Sequence, residues 1–137
     1  MRNCIGYIGN LFWKSSLEDT SFFILKNNKG QIAHLSATAV EWKNIFVFEI
    51  ILERIKIQIN GLGRSYGRET LTLYKMRPEM GPPVVKEFDF DQEDNTWRQE
   101  NREFFLKIKR DDISDKSIKD AKFVLETIEK IYKNNQI

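Results

Sequence analysis

EWKNIFVFEIILERIKIQINGLGRSYG, residues 41–67, holds two apolar runs back to back and then a loop containing Gly61, Gly63 and Gly67. In the second run Ile55, Ile57 and Ile59 alternate with Lys56, Gln58 and Asn60. A period of two is the pattern of a strand with one buried face. The first run, residues 45–52, is almost continuously apolar and rich in β-branched and aromatic residues. It reads as a strand covered on both faces, or as a central strand of a large sheet. Between the runs, residues 51–55 contain no Gly, Asn, Asp or Pro. A tight hairpin there would use unfavoured turn residues, so a bent strand or a helical turn is the alternative.

Upstream, residues 4–13 read as an extended segment and residues 20–26 (TSFFILK) as a strand. Asn27-Asn28-Lys29-Gly30 is a hairpin signal, because Asn and Gly tolerate positive φ, and residues 31–40 form the returning strand. Downstream, residues 70–75 (TLTLYK) alternate as a strand, RPEMGPP (77–83) is a loop, and residues 84–90 form an edge strand. The pattern then changes to a helical period. Thr96 and Gln99 form a capping box for a helix with Trp97, Asn101, Phe104, Phe105 and Ile108 on one face. Ser117 and Asp120 cap a second helix with the stripe Ala121, Val124, Leu125, Ile128, Ile131 and Tyr132. Strands followed by helices give an α+β fold: a large, mostly antiparallel open sheet with two helices packed on one face. One domain spans residues 1–137, with strands over about 4–90 and helices over about 96–110 and 117–133.

The 137 residues suit one core, and 22 basic against 20 acidic side chains leave a net charge of +2. Such balance gives no field for nucleic acid or anionic lipid. No apolar run is long enough to span a membrane, and the N-terminus has no signal-peptide pattern. One cysteine, Cys4, excludes an internal disulfide and fits a reducing, cytoplasmic setting. One histidine, His34, excludes a multi-histidine metal site within one copy, and reads as a structural residue.

The 61–67 loop is not a dinucleotide fingerprint. Its third glycine falls one residue late, and a strand rather than a helix follows, so a pyrophosphate would find no helix N-terminus. The carboxylates of Glu18 and Asp19 are neighbours, poorly placed for joint acid–base work; hydrogen bonds to turn backbone are the better account.

Four segments carry a family resemblance: LEDTSFFIL, GQIAHLSATAVEWKNIFVFEI, GLGRSYGRETLTLYKMRPEMGPP and DNTWRQENREFFLKI. Together they resemble the C-terminal domain of the Gfo/Idh/MocA family, NAD(P)-dependent oxidoreductases of sugars, inositols and nucleotide sugars. The likeness runs from about Gly6 to the last helix. It implies an α+β domain whose open sheet builds subunit contacts on one face and closes a substrate site on the other. The family's Glu-Lys-Pro motif and its Rossmann fingerprint have no counterpart here, and its Asp/His motif would lie upstream of Met1. Glycines usual in the hairpin after Phe48-Glu49-Ile50 are replaced by Leu52 and Ile55.

The resemblance thus implies a substrate-side and oligomerisation domain, inactive alone. NAD(P) would come only through a partner Rossmann-domain chain. No catalytic, cofactor-binding or metal residue is expected in the chain itself. Substrate-side candidates are Trp42, Lys43, Arg64 and Tyr66: the cations to hold hydroxyls or a phosphate, the rings to pack on a sugar face. Expected partners are a second copy through the sheet face and a sugar or nucleotide-sugar ligand, with neither nucleic acid nor membrane. The alternative is a truncated remnant acting as a non-catalytic interaction or small-ligand binding module.

Overall fold

The computed structural model describes residues 3–90, 94–112 and 116–135. The elements run β1 (Asn3–Gly9), β2 (Thr20–Lys26), β3 (Ile32–Thr38), β4 (Val47–Ile51), β5 (Ile55–Asn60), β6 (Thr70–Lys75), β7 (Val84–Asp89), α1 (Thr96–Lys109) and α2 (Lys116–Asn135). Strands and helices are segregated along the chain, and the fold is α+β. Its strands form two antiparallel sheets, ordered β1-β2-β3 and β4-β5-β6-β7. The chain divides accordingly into two compact units, Met1–Trp42 with Lys107–Ile137, and Lys43–Leu106.

In the first unit the β2–β3 turn forms where the Asn-Asn-Lys-Gly signal puts it. Gly30 takes a φ of 81°. The Asn27 side-chain oxygen accepts from the backbone N–H of Lys29 and Gln31 at 2.9 and 3.0 Å. Helix α2 packs against β1. Ile131 on α2 is 2% exposed and Ile8 on β1 is 5% exposed, and among the described residues these are the buried apolar side chains. The Tyr132 hydroxyl donates to the Glu18 carboxylate and ties the end of α2 to the loop before β2. Ser117 lies inside the first turn of α2 rather than capping it; residues 113–115, just before that helix, fall outside the described set.

In the second unit β4 and β5 do form a tight hairpin, contrary to the bent strand or helical turn considered above. Ile51 pairs with Lys56, and the Leu52 N–H donates to the Ile55 carbonyl at 2.9 Å. Neither Glu53 nor Arg54 takes a positive φ, so this turn needs no glycine. The apolar run at β4 is also neither central nor covered: β4 is an edge strand and every side chain on it is exposed. β7 is the opposite edge, as its alternation implied.

The register sorts this sheet into two unlike faces. On one, the cross-strand rows are Phe48-Ile59-Leu71-Phe88 and Ile50-Ile57-Leu73-Lys86. On the other they are Val47-Asn60-Thr70-Asp89 and Glu49-Gln58-Thr72-Glu87. The polar face is laced by its own side chains. Lys56 pairs with Glu49 at 2.5 Å, the Tyr74 hydroxyl donates to Gln58 at 3.3 Å, and Gln58 donates to Asn60 at 3.0 Å. These bonds leave Thr70 and Thr72 buried on a face that holds no core.

Helix α1 opens differently from the expected capping box. Thr96 does not accept from the first turn; its backbone N–H and its hydroxyl both donate to the Asp94 carboxylate, at 2.9 and 2.7 Å. Gln99 N–H instead closes the first turn on the Asn95 carbonyl at 2.9 Å. The acidic stretch that precedes this cap lies partly outside the described residues, at 91–93. The apolar stripe has the expected helical spacing, yet none of the α1 side chains is buried.

Gly61 is the position in this unit that only glycine fits. It has a φ of 76°, and a Cβ there would stand 2.4 Å from the Arg68 carbonyl oxygen. Gly63 also has a positive φ, 54°, but a Cβ there would meet nothing within 4 Å. Gly63→Ala is therefore expected to cost about 1 kcal/mol, the left-handed strain alone. Gly61→Ala adds a backbone clash and is expected to cost roughly 3 kcal/mol or more. Urea denaturation of the two variants beside the parent protein measures the difference.

Candidate functional site

Two groups of side chains present chemistry at the surface, one in each unit. In the first unit the chain between β1 and β2 wraps around Asp19. One carboxylate oxygen accepts from the Leu11 N–H at 2.9 Å, and the other from Phe12 and Trp13 at 2.8 and 2.9 Å. Asp19 is itself buried. These donated hydrogen bonds, led by those from Leu11 and Trp13, hold its carboxyl at about 2, below the ordinary 3.8. The expectation that the Glu18-Asp19 pair serves backbone hydrogen bonding is met: Asp19 binds three backbone N–H groups, and Glu18 takes the Tyr132 hydroxyl.

The loop so fixed carries an aromatic corner. Phe12 meets Trp13 edge to face at 5.0 Å between centroids and meets Trp42 at 5.2 Å, while Trp13 and Trp42 stand 6.4 Å apart. The Trp13 indole N–H donates to the Ala39 carbonyl at 3.1 Å, which joins the two loops. Trp42 sits at a positive φ of 57° and is 79% exposed. At these spacings the rings fill the space between them. They form a raised aromatic surface, able to stack on a flat apolar face, rather than a cage around a cation.

In the second unit the 61–68 loop, the end of β7 and the start of α1 enclose a groove of about 760 Å³. Arg64, Arg68, Glu69, Asp89, Phe90 and Asp94 line it together with the amides of Asn95 and Gln99. Arg68 is ion-paired with Asp89. The Arg64 N–H donates to the Glu69 carboxylate at 3.3 Å. The Asp94 carboxyl is held below its usual range first by the Thr96 hydroxyl, then by the Thr96 N–H, with the Arg64 charge adding to the effect. Two guanidinium groups thus face three carboxylates, leaving the lining slightly acidic. Such a lining offers both donors and acceptors and does not favour an anion.

Of the substrate-side candidates, Arg64 lines this groove. Tyr66 belongs to the same loop, its N–H donating to the Leu62 carbonyl at 3.3 Å, but its side chain is not part of the lining. Lys43 is exposed in the segment before β4. Trp42 belongs to the first unit, in the aromatic corner. The sequence reading missed Arg68, Glu69, Asp89 and Asp94; only the β6–β7 register, which sets Thr70 against Asp89, brings these residues together.

Two other singled-out residues have modest surroundings. His34 is exposed on β3, and among the described residues its side chain makes no hydrogen bond, so it does not play the structural part expected of it. Cys4 is half-buried; burial pushes its thiol pKa up, with the Lys130 charge opposing, so it is no activated thiolate. Among the described residues no His, Cys, Asp and Glu group of three or more could hold a metal ion, and no helix is long and apolar enough to cross a membrane.

No family model, curated protein or solved structure matches the chain.

The Asp19 geometry has a pH signature. A carboxyl depressed in the folded state contributes stability that is complete above its unfolded value near 3.8 and is lost as the pH falls through about 2. The parent protein is expected to lose thermal stability across that window. Asp19→Ala should have a lower midpoint at neutral pH and a flatter acid profile. Thermal unfolding followed by circular dichroism at stepped pH checks both.

Proposed function

We propose that this chain is the substrate-side and oligomerisation domain of a Gfo/Idh/MocA-type sugar oxidoreductase, a cytoplasmic component inactive without a separate Rossmann-domain chain that supplies NAD(P). The observation that carries the reading is surface left unburied. The chain exposes 12114 Å². A compact monomer of 16.3 kDa would expose about 7,500 Å², and two separate compact units of half that mass about 9,000 Å² together. The excess is therefore about 3,000 Å² or more. It is carried by large apolar side chains such as Ile5, Leu17, Ile51, Trp97 and Phe104, all more than half exposed. So much exposed apolar surface favours a domain that works inside an assembly.

The groove supports the substrate side of the proposal. A sugar presents hydroxyls that both donate and accept, and a lining of carboxylates, amides and guanidinium groups meets both needs. Arg64 and Arg68, both in the groove lining, orient the ligand. Hydride chemistry is left to the cofactor that the partner chain carries.

Native mass spectrometry of the chain, purified under mild conditions from its own cells, tests the proposal. The expected result is a complex with a nucleotide-binding chain, and activity on sugars that appears only when both chains are present. A homo-oligomer with no second chain and no bound nucleotide would remove the oxidoreductase reading.

A further inference from the structure

We infer that the aromatic corner of Phe12, Trp13 and Trp42 is a docking site for a proline-rich segment of a partner protein. The inference concerns the first unit alone and does not rest on the proposed function. It gives a part to Trp42, which lies outside the groove lining.

The corner is held in place before any ligand arrives. Asp19 accepts from the Leu11, Phe12 and Trp13 N–H groups, and the Trp13 indole N–H donates to the Ala39 carbonyl, so both loops that carry the rings are fixed. A preorganised surface loses little freedom on binding. Trp42 takes a left-handed backbone conformation, with a φ of 57°, which a residue with a Cβ adopts at a cost. Burial does not offset that cost, because the Trp42 side chain is mostly exposed. Backbone strain of this kind collects at ligand-binding surfaces.

Charge and polarity select the occupant. Lys14 and Glu41, next in sequence to Trp13 and Trp42, are exposed and opposite in sign, so the corner suits an uncharged ligand. The loop spends its own polar groups internally: Asn10 and Ser15 both donate to the Leu17 carbonyl, and the Asp19 carboxylate is filled by N–H groups. The Trp42 indole N–H donates to none of the described residues. A sugar is oriented by several placed polar groups, and one indole N–H does not supply them. A polyproline II helix needs less. Its prolines carry carbonyl acceptors, no N–H groups and apolar ring faces, so a surface of rings with one free donor is complementary to it. Its rise of about 3.1 Å per residue places two residues in about 6 Å, close to the 6.4 Å between the Trp13 and Trp42 rings. Phe12 stands nearly perpendicular to both indoles, at 83° and 86°, so the surface is ridged. Aromatic ridges and the grooves between them are what proline-rich segments dock on.

Isothermal titration of the full chain with decaproline tests the inference, beside a Gly-Ser peptide of equal length and the neutral sugar cellohexaose. Decaproline is expected to bind saturably and the Gly-Ser peptide not to bind. Trp42→Ala is expected to weaken decaproline binding by roughly tenfold or more. Trp42→Phe, which keeps a ring and loses the indole N–H, is expected to weaken it by about fivefold. Trp97→Ala, which removes an exposed tryptophan of the other unit, should leave it unchanged. Circular dichroism confirms the fold of each variant, and Trp42→Phe carries the test if Trp42→Ala does not fold. No saturation at millimolar decaproline, or binding that neither Trp42 variant weakens, would overturn the inference. Cellohexaose binding that depends on Trp42, without decaproline binding, would also overturn it and make the corner a sugar platform.

Discussion

Removal of apolar surface from water is the constraint on which everything else in this molecule depends. Burial is the main favourable term in folding, and here it is scarce. Ile8 and Ile131 are the apolar side chains buried among the described residues, and they meet where α2 lies on β1. The four-stranded sheet holds no buried apolar side chain, although Ile57, Leu71, Leu73 and Phe88 are partly covered by their cross-strand neighbours. A sheet of this kind orders its backbone through its ladder, but a ladder bond contributes little net free energy once water is counted.

Where apolar burial is thin, polar contacts hold the local geometry. Asp19 is the clearest case: a single carboxylate collects three successive backbone N–H groups and the Thr20 hydroxyl. The Asp19 carbonyl also accepts from Ala39 at 2.7 Å, so the same residue joins the loop before β2 to the segment after β3. That double attachment is what sets Phe12, Trp13 and Trp42 in mutual contact without a core beneath them. On the polar sheet face a chain of amides and hydroxyls does the same for β5 and β6. The links between Tyr74 and Gln58, Gln58 and Asn60, and Asn60 and Thr70 run diagonally across the two strands.

Most strands were legible from alternation, and both helices from their period, because those signals are local. β2, β5 and β6 occupy the residues that the pattern implied. What is not local was not legible. The continuous apolar run of β4 looks the same whether both faces are covered within the chain or left open for a partner, and it was read as covered. The β4–β5 turn was doubted because residues 51–55 carry no turn signature, yet pairing of the flanking strands closes it without one. The α1 cap was placed on Thr96 and Gln99, although Asp94 and Asn95 supply it: two overlapping cap signals stood in sequence, and local pattern does not rank them. The groove was legible only at Arg64. Its other charged residues are separated by a strand and a hairpin, and come together through register.

The disagreement between pattern and burial is itself informative. Some residues placed by periodicity on a buried face are exposed in the folded chain. Trp97, Phe104, Phe105 and Ile108 on α1 fit that description, as do Phe48 and Ile50 on β4. Singly exposed apolar residues carry no such meaning, since more than half of any protein surface is apolar. Here they are ordered by the periods of a helix and a strand. Solvent imposes neither period; packing against another surface imposes both. The two stripes also differ in kind. The sheet face is broad and carries its cations, Lys75 and Lys86, at one end. The α1 stripe is narrow, and Arg98, Arg102 and Lys109 lie along one of its edges at helical spacing. A surface with charges along one edge discriminates among partners, whereas an uncharged one mainly adds buried area. The two stripes thus share an apolar period and differ in how charge borders them.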